Sequence, residues 1–165
     1  MNTLKQILKL SGISLVILFV VVTAVSLMFP STVVVSRAVN INASQEKILN
    51  EVNSFTGWKN WMQGLNDSTL KMLSHSEANI GGTKILLTVA GSNKVHSVWQ
   101  NQHGKIMLSD INLISNNSGL TVVQWQFVQK IKWYPWKKLG SLLNDKILGT
   151  MMENNLNRLK QICEE

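Results

Sequence analysis

Three histidines are the side chains best suited to metal binding or proton transfer near neutral pH. They are His75, His96 and His103, and they fall in or beside separate predicted strands. No two of them have the four-residue helical spacing or the short-spacer pattern that zinc sites use. His96 shares an alternating face with Lys94, which favours a solvent-exposed position. The sequence therefore predicts no metal site and no bound cofactor.

The acidic residues do not suggest a catalytic pair either. Asp67, Glu77, Asp110 and Asp145 are scattered, and no spacing forces two of them together. Asp110 is the nearest to an acid–base candidate, because it alternates with apolar residues on a predicted strand. The sequence contains no nucleophile elbow, phosphate loop or dinucleotide fingerprint. Cys163, near the end of the predicted last helix, is interpreted as a packing residue rather than a reactive thiol. Binding is therefore favoured over catalysis.

The net charge of the chain limits the kinds of partner that it is expected to bind. The formal charge is +7 over 165 residues, and removing Lys5 and Lys9 leaves 14 basic and 9 acidic residues after Pro30. This excess is mild and spread along the chain, whereas a nucleic-acid interface gathers its basic residues. No nucleic-acid partner is predicted.

The N-terminus contains a long apolar run. Residues 10–29 carry no charge, and about twenty such residues in a helix cross the hydrocarbon of a bilayer. A cleaved signal peptide is the alternative, with Ala24-Val25-Ser26 as its cleavage site. However, the run exceeds the roughly 7–15 residues of a signal core and continues past that site. We expect an uncleaved anchor in residues 1–30 and a soluble domain in 31–165.

Flanking charges predict the orientation. Lys5 and Lys9 precede the span, whereas only Arg37 lies close after it. The positive-inside rule then places the N-terminus in the cytoplasm. The prediction is a single-pass protein of the inner (cytoplasmic) membrane, with its soluble domain outside the cytoplasm.

After the span, the periodicity predicts an α+β domain. Residues 32–42 alternate as a strand, Ser44 can cap a short helix, and 55–65 form a second short helix or turn. The remaining predicted elements are strands at about 69–77, 83–90, 94–102, 105–115 and 119–132 and a helix from Trp136 to about Cys163. Segregated elements of this kind imply an antiparallel sheet wrapped on the last helix.

The segment KIKWYPWKKLG, residues 130–140, joins the last strand to that helix. Pro135 interrupts the strand and can open the helix, which predicts a hinge. Lys137 and Lys138 fall in the first helical turn, where cations oppose the helix dipole. Trp, Tyr and Lys also gather at bilayer interfaces, so anionic lipid headgroups are a hypothesis for what holds these lysines.

Two stretches resemble a known family. VVVSRAVNINASQEKILNEVNSFTGWKNW near the start of the domain and WYPWKKLGSLLNDKILGTMMENNLNRLK at its end are similar to the START-like (SRPBCC) superfamily, in its polyketide cyclase/dehydrase-like bacterial branch. The resemblance covers both ends of the domain, while residues 66–118 match only in the spacing of their predicted strands. It implies a helix-grip fold, in which a curved antiparallel sheet grips the C-terminal helix over an apolar cavity for a lipid or similar ligand. It does not imply one reaction.

Large apolar residues on the inward faces are the predicted cavity lining. They are Trp58, Trp61, Met62, Trp99, Met107, Ile111, Trp125, Phe127, Leu139, Leu143, Ile147 and Met151. Three functions remain open at this point. The first is a membrane-tethered module that binds a hydrophobic small molecule or lipid. The others are a cyclase/dehydrase-type enzyme that uses the same cavity and an interaction or stress-response module with a filled core.

Overall fold

A computed structural model describes residues 2–28, 30–65, 70–89, 91–116, 119–132 and 134–165. Its contacts group into two compact units, one of Met1–Val33 with Lys130–Leu143 and the other of Val34–Gln129 with Asn144–Glu165. The first unit contains helix α1, Asn2–Met28. Among the described helices, α1 is the one long and apolar enough to cross a membrane.

The remaining elements follow the order expected for a helix-grip fold. They are β1 Thr32–Ile41, α2 Gln45–Val52, α3 Phe55–Trp61, β2 Leu70–Met72, β3 Glu77–Ile80, β4 Thr83–Val89, β5 Lys94–Gln100, β6 Ile106–Ser115, β7 Thr121–Lys130 and α4 Pro135–Glu164. The strands form one sheet in the order β1-β7-β6-β5-β4-β3-β2. The α+β helix-grip prediction is confirmed.

Serine caps begin both short helices. Ser44 accepts a hydrogen bond from the backbone N–H of Lys47 at 3.3 Å, and Ser54 accepts one from that of Gly57 at 3.2 Å. Each bond satisfies a backbone donor that the first helical turn leaves free. The two caps fix α2 and α3 as separate helices joined by a sharp corner.

Strand alternation explains where the core lies. In β7 the odd-numbered side chains Val123, Trp125 and Phe127 are at most 1 % exposed, while their even-numbered neighbours are only half-buried. On α4, Met152 and Leu159 are fully buried. A period of two on the sheet and of three to four on the helix therefore directs both apolar faces into one core.

The predicted strand 69–77 is wrong in one respect, because the chain turns within it. The backbone N–H groups of Leu73 and Ser74 both donate to the carbonyl of Glu77 at 2.9 Å. This turn separates β2 from β3. Gly81 and Gly82, both with positive φ, then make the tight turn into β4 that glycine pairs favour.

Candidate functional site

An aromatic cluster fills the deep part of the space between α3 and the sheet. Trp58 stacks on Trp99 with ring centroids 5.8 Å apart, and Trp61 meets Trp125 edge-on at 5.6 Å. Phe127 contacts both Trp99 and Trp125, at 5.3 and 5.4 Å. Such edge-on and offset contacts stabilise the packing beyond the area that they bury.

Each indole N–H of this cluster has an acceptor. Trp58 donates to the carbonyl of Val52 at 2.8 Å and Trp61 to that of Glu51 at 3.0 Å, so both bind carbonyls at the end of α2. These carbonyls lie in the last helical turn, where intrahelical donors run out. The Trp-x-x-Trp spacing of α3 therefore serves the corner between the two short helices.

The other two indoles bind serines on the inner face of the sheet. Trp99 donates to Ser97 at 2.9 Å and Trp125 to Ser109 at 2.8 Å. Ser97 and Ser109 are paired across β5 and β6 and are almost fully buried. Small hydroxyl side chains there leave room for the rings and satisfy their N–H groups, so the cluster contributes no free polar group to a ligand.

An open pocket of about 320 Å³ lies where this cluster ends. Its lining residues are Lys105 just before β6, Met107 in β6, Gln129 near the end of β7, and Ile147, Leu148 and Met151 on α4. Four of the six are apolar. Ligand pockets range from about 300 to 1,000 Å³, so this one suits a small ligand or the apolar part of a longer one.

Strand register places the pocket. Met107 pairs with Trp99, and the pairing of Leu108 with Val128 puts Met107 opposite Gln129. Met107 and Gln129 each lie two residues along their strands from the paired residues Ser109 and Phe127, on the same face of the sheet. Two thioethers, Met107 and Met151, make the walls deformable, because methionine has no branch and three rotatable bonds.

The residues predicted to line a cavity divide into groups. Met107, Ile147 and Met151 line the pocket. Trp99 is half-buried in the aromatic cluster. Six others are buried in the core, namely Trp58, Trp61, Met62, Ile111, Trp125 and Phe127. The side chains of Leu139 and Leu143 lie outside the described part of the chain. A ligand contact stays a prediction for all of them.

Sequence reasoning missed Lys105, Gln129 and Leu148. Strand alternation could have indicated two of them. Lys105 lies two residues from Met107, and Gln129 lies two residues from Phe127, so each pair shares one face of the sheet. Both side chains are polar, so a pattern of apolar inward positions does not single them out. Leu148 follows Ile147 directly and precedes Met151 by three residues, which keeps it on the same side of the helix.

A polar network occupies the opposite face of the sheet. The ring Nδ1 of His96 lies 2.6 Å from a carboxylate oxygen of Asp110, and the side chain of Gln126 donates to the other oxygen at 3.1 Å. Lys94 lies 3.3 Å from that second oxygen. Asp110 alternates with the buried Ser109 and Ile111, so its carboxylate points away from the pocket side.

Two opposing effects set the pKa of Asp110. Burial raises it, but the hydrogen bonds from His96, Gln126 and Lys94 and the charge of Lys94 outweigh burial, so the pKa lies below its ordinary value. The carboxylate is therefore charged at neutral pH and held by three partners. This is a structural network rather than an acid–base pair directed at the pocket, of whose lining residues only Lys105 is titratable.

No group of three or more His, Cys, Asp or Glu side chains that could hold a metal ion occurs among the described residues. Cys163 is buried in the core. Burial raises the pKa of its thiol to about 11, so the nucleophilic thiolate is scarce at neutral pH.

Neither a family model nor a curated protein matches the sequence. The fold, in contrast, has many counterparts among solved structures. A START superfamily protein from Mycobacterium smegmatis superposes with a TM-score of 0.59 at 17 % identity, over 79 % of this chain and 97 % of that one. The Aha1 dimer protein from Colwellia psychrerythraea gives 0.56 at 19 % identity, over 80 % and 96 %.

The di-domain ARO/CYC protein BexL from the BE-7585A biosynthetic pathway gives a TM-score of 0.61 at 9 % identity. The match covers 86 % of this chain and 53 % of BexL. At such identities the likeness concerns the fold. The chain therefore has the helix-grip fold that START-superfamily and ARO/CYC proteins share.

Proposed function

We propose that this protein is a membrane-tethered module that binds a hydrophobic small molecule or lipid in the pocket between the sheet and α4. The observation that carries the proposal is the lining of the open pocket of about 320 Å³, in which Met107, Ile147, Leu148 and Met151 are four of the six residues. An apolar concave site with few polar groups is the usual form of a binding site for such ligands. The START-superfamily and ARO/CYC folds of the structural counterparts support the same interpretation.

The two polar lining residues suggest how a ligand is oriented. Lys105 is exposed at the mouth and Gln129 is half-buried. An ammonium and an amide at one side of an apolar pocket suit a ligand with a polar, oxygen-bearing end and an apolar body. The apolar body would contact the two methionines, and the polar end would stay near Lys105.

Helix α1 supplies the proposed tether. It has 27 residues, which at about 1.5 Å per residue makes a helix of roughly 40 Å, longer than the hydrocarbon of a bilayer. The large apolar side chains of residues 4–25 are mostly exposed. Burial in a bilayer would remove that surface from water. With Lys5 and Lys9 on the cytoplasmic side, residues 31–165 would form the domain outside the cytoplasm.

An enzyme of the cyclase/dehydrase type is not favoured by the polar groups. Acid–base chemistry needs a titratable group within hydrogen-bonding reach of the ligand. The lining offers one such residue, Lys105, and the pair formed by His96 and Asp110 lies on the other face of the sheet. Binding without turnover is the function that these residues support best.

Solvent extraction and mass spectrometry of the purified full-length chain test the proposal. The wild-type chain is compared with Met151→Trp, which fills the pocket, and with Met72→Trp, an exposed position on β2. Lipids that surround α1 are common to all three proteins. We expect one class of apolar compound to co-purify with the wild type and Met72→Trp but not with Met151→Trp.

Met107→Trp blocks the same pocket from the sheet side and guards against a folding defect in Met151→Trp. Circular dichroism identifies which blocked variants keep their fold. Identical extracts from the wild type and a folded blocked variant would contradict the proposal and favour the module with a filled core.

A further inference from the structure

We propose that the segment joining β7 to α4 is a second membrane contact, which lies on the bilayer surface and binds anionic lipid headgroups. We define this interfacial segment by five residues, Lys130, Lys132, Tyr134, Trp136 and Lys137. Lys138 was expected from the sequence to share this role with Lys137, but it is only 5 % exposed and is therefore not part of the segment. The inference rests on the proposed insertion of α1 and adds to it a lipid-binding surface on the folded domain.

Chain continuity brings the interfacial segment to the membrane. The backbone N–H of Ile131 donates to the carbonyl of Ser31 at 2.7 Å. Ser31 follows the last residue of α1, Met28, by three positions, and three residues span at most about 11 Å. The end of β7 therefore lies within reach of the headgroup layer, whatever the tilt of α1.

The length of the uncharged part of α1 sets the depth. From Lys9 to Met28 the helix rises by about 29 Å, which matches the roughly 30 Å of hydrocarbon in a bilayer. With Lys9 at one boundary, Met28 lies at the other. Ser31 and its partner Ile131 then fall at the level of the headgroups.

The aromatic side chains of the segment have the character of an interface anchor. Trp136 is 58 % exposed, although most of its surface is apolar. Tyr134 stacks on it with ring centroids 5.4 Å apart and planes 7° apart. Trp and Tyr are enriched at the boundary between lipid and water, because each carries an apolar ring and a polar group.

The charges of the segment have one sign. Lys130, Lys132 and Lys137 are exposed. The sequence contains no Asp or Glu between Asp110 and Asp145, and α4 has no acidic residue in its first turn. An anionic surface is the complement of this arrangement, and each lysine close to such a surface strengthens binding about fivefold.

The start of α4 adds to the attraction. Lys137 stands in its first turn, where the helix dipole already provides partial positive charge. Within the protein this placement is unfavourable. A lipid phosphate beside it would interact with both the lysine and the helix end, which explains why a cation occupies this position.

Fluorescence of the full-length chain in vesicles tests the inference. The emission of Trp136 is obtained as the difference between the wild type and Trp136→Phe. It is measured in phosphatidylcholine vesicles with and without phosphatidylglycerol, using brominated acyl chains as quenchers that act only within the membrane. We expect quenching of Trp136 in the anionic vesicles and its loss near 1 M NaCl, where the Debye length is about 3 Å.

A charge-matched pair of variants locates the effect. Replacing Lys130, Lys132 and Lys137 with Gln should abolish most of the quenching in anionic vesicles. The same replacement at Lys47, Lys71 and Lys146, which are exposed elsewhere, should leave it unchanged. Equal quenching in both triple variants, or in both kinds of vesicle, would overturn the inference.

Insertion of α1 is measured separately, by carbonate extraction and flotation of the same vesicles. We expect every variant to stay in the membrane fraction. If the wild type is extracted, the proposed tether fails, and the interfacial segment fails with it. If all variants stay while Trp136 is not quenched, only the second contact is refuted.

Discussion

Trp58 of α3 and Trp99 of β5 are stacked, with ring centroids 5.8 Å apart and planes 20° apart. This contact joins the short helices to the middle of the sheet and fills the deep part of the space that a helix-grip fold encloses. An open pocket lies beside Met107 and Gln129, further along the same face of the sheet. Trp99 pairs with Met107 across β5 and β6, so the stacked indoles lie next to a residue of the pocket wall.

Trp99→Ala should enlarge the pocket at a cost in stability. Removing a buried Trp costs about 3–5 kcal/mol, and the cost here should be at the lower end because Trp99 is only half-buried. Urea unfolding of the full chain in detergent micelles measures the loss. Trp136→Ala is the matched control, since its ring is exposed, and it should change the midpoint little. Equal losses would show that Trp99 does not support the core.

Gly57→Ala should be destabilising because of its backbone neighbour. A Cβ at this position would lie 2.4 Å from the carbonyl oxygen of Glu51, and a backbone atom cannot move aside cheaply. We expect a loss of about 1–3 kcal/mol, as for overpacked sites.

Gly140→Ala is the control for Gly57→Ala. Gly140 lies in α4 with open space around its Cβ direction, so alanine should stabilise the helix by up to about 1 kcal/mol. Thermal unfolding of both variants gives the comparison. A neutral Gly57→Ala would contradict the tight corner between α2 and α3.

Asp110 should make the free energy of unfolding depend on pH in the acid range. Its pKa is lower in the folded chain than the usual value of about 3.9. A depressed pKa contributes stability that is complete above the unfolded pKa and is lost as the pH falls through the folded pKa. The wild type should therefore lose its advantage over Asp110→Asn below about pH 4. Urea midpoints of both proteins from pH 7 downward provide the check, and a constant difference would contradict the network.

Cys163 should resist thiol reagents while the chain is folded. Burial raises the pKa of its thiol to about 11, so little thiolate is present at pH 8 and access is restricted. Because it is the one cysteine of the sequence, whole-protein mass reports its modification directly. We expect labelling only in denaturant. Rapid labelling of the native protein would place Cys163 at an accessible surface.

The fold could be predicted because buried residues recur at every second position on the strands and at every third or fourth position on α4. The odd-numbered residues of β7 identify the core correctly, and Pro135 marks the start of the last helix within one residue. On α4, however, Ile147 was expected on the inward face and is 72 % exposed, whereas Met152, Leu156 and Leu159 are buried. The turn at Leu73 and Ser74 was not predicted, since it depends on backbone hydrogen bonds to Glu77 and contains no Gly or Pro.

The site was less predictable than the fold. The sequence shows which side chains point inward but not whether they fill the space, so it makes the same prediction for Trp125 and Met107. Packing separates them, because Trp125 is buried beside Trp61 and Met107 borders the pocket. The contact between His96 and Asp110 depends on the register of β5 and β6, which the turn between them sets.

Photo-crosslinking with a long-chain fatty acid that carries a terminal diazirine tests the central claim most directly. The full-length chain is reconstituted in vesicles, irradiated with the probe and digested, and the labelled residues are identified by mass spectrometry. Labels on α1 report lipid around the proposed tether. Labels on Met107, Leu148 or Met151 report a ligand in the pocket, and they should disappear when unlabelled fatty acid is added in excess. Labelling of α1 alone, with none at the three pocket residues, would contradict a lipid-binding function of this pocket.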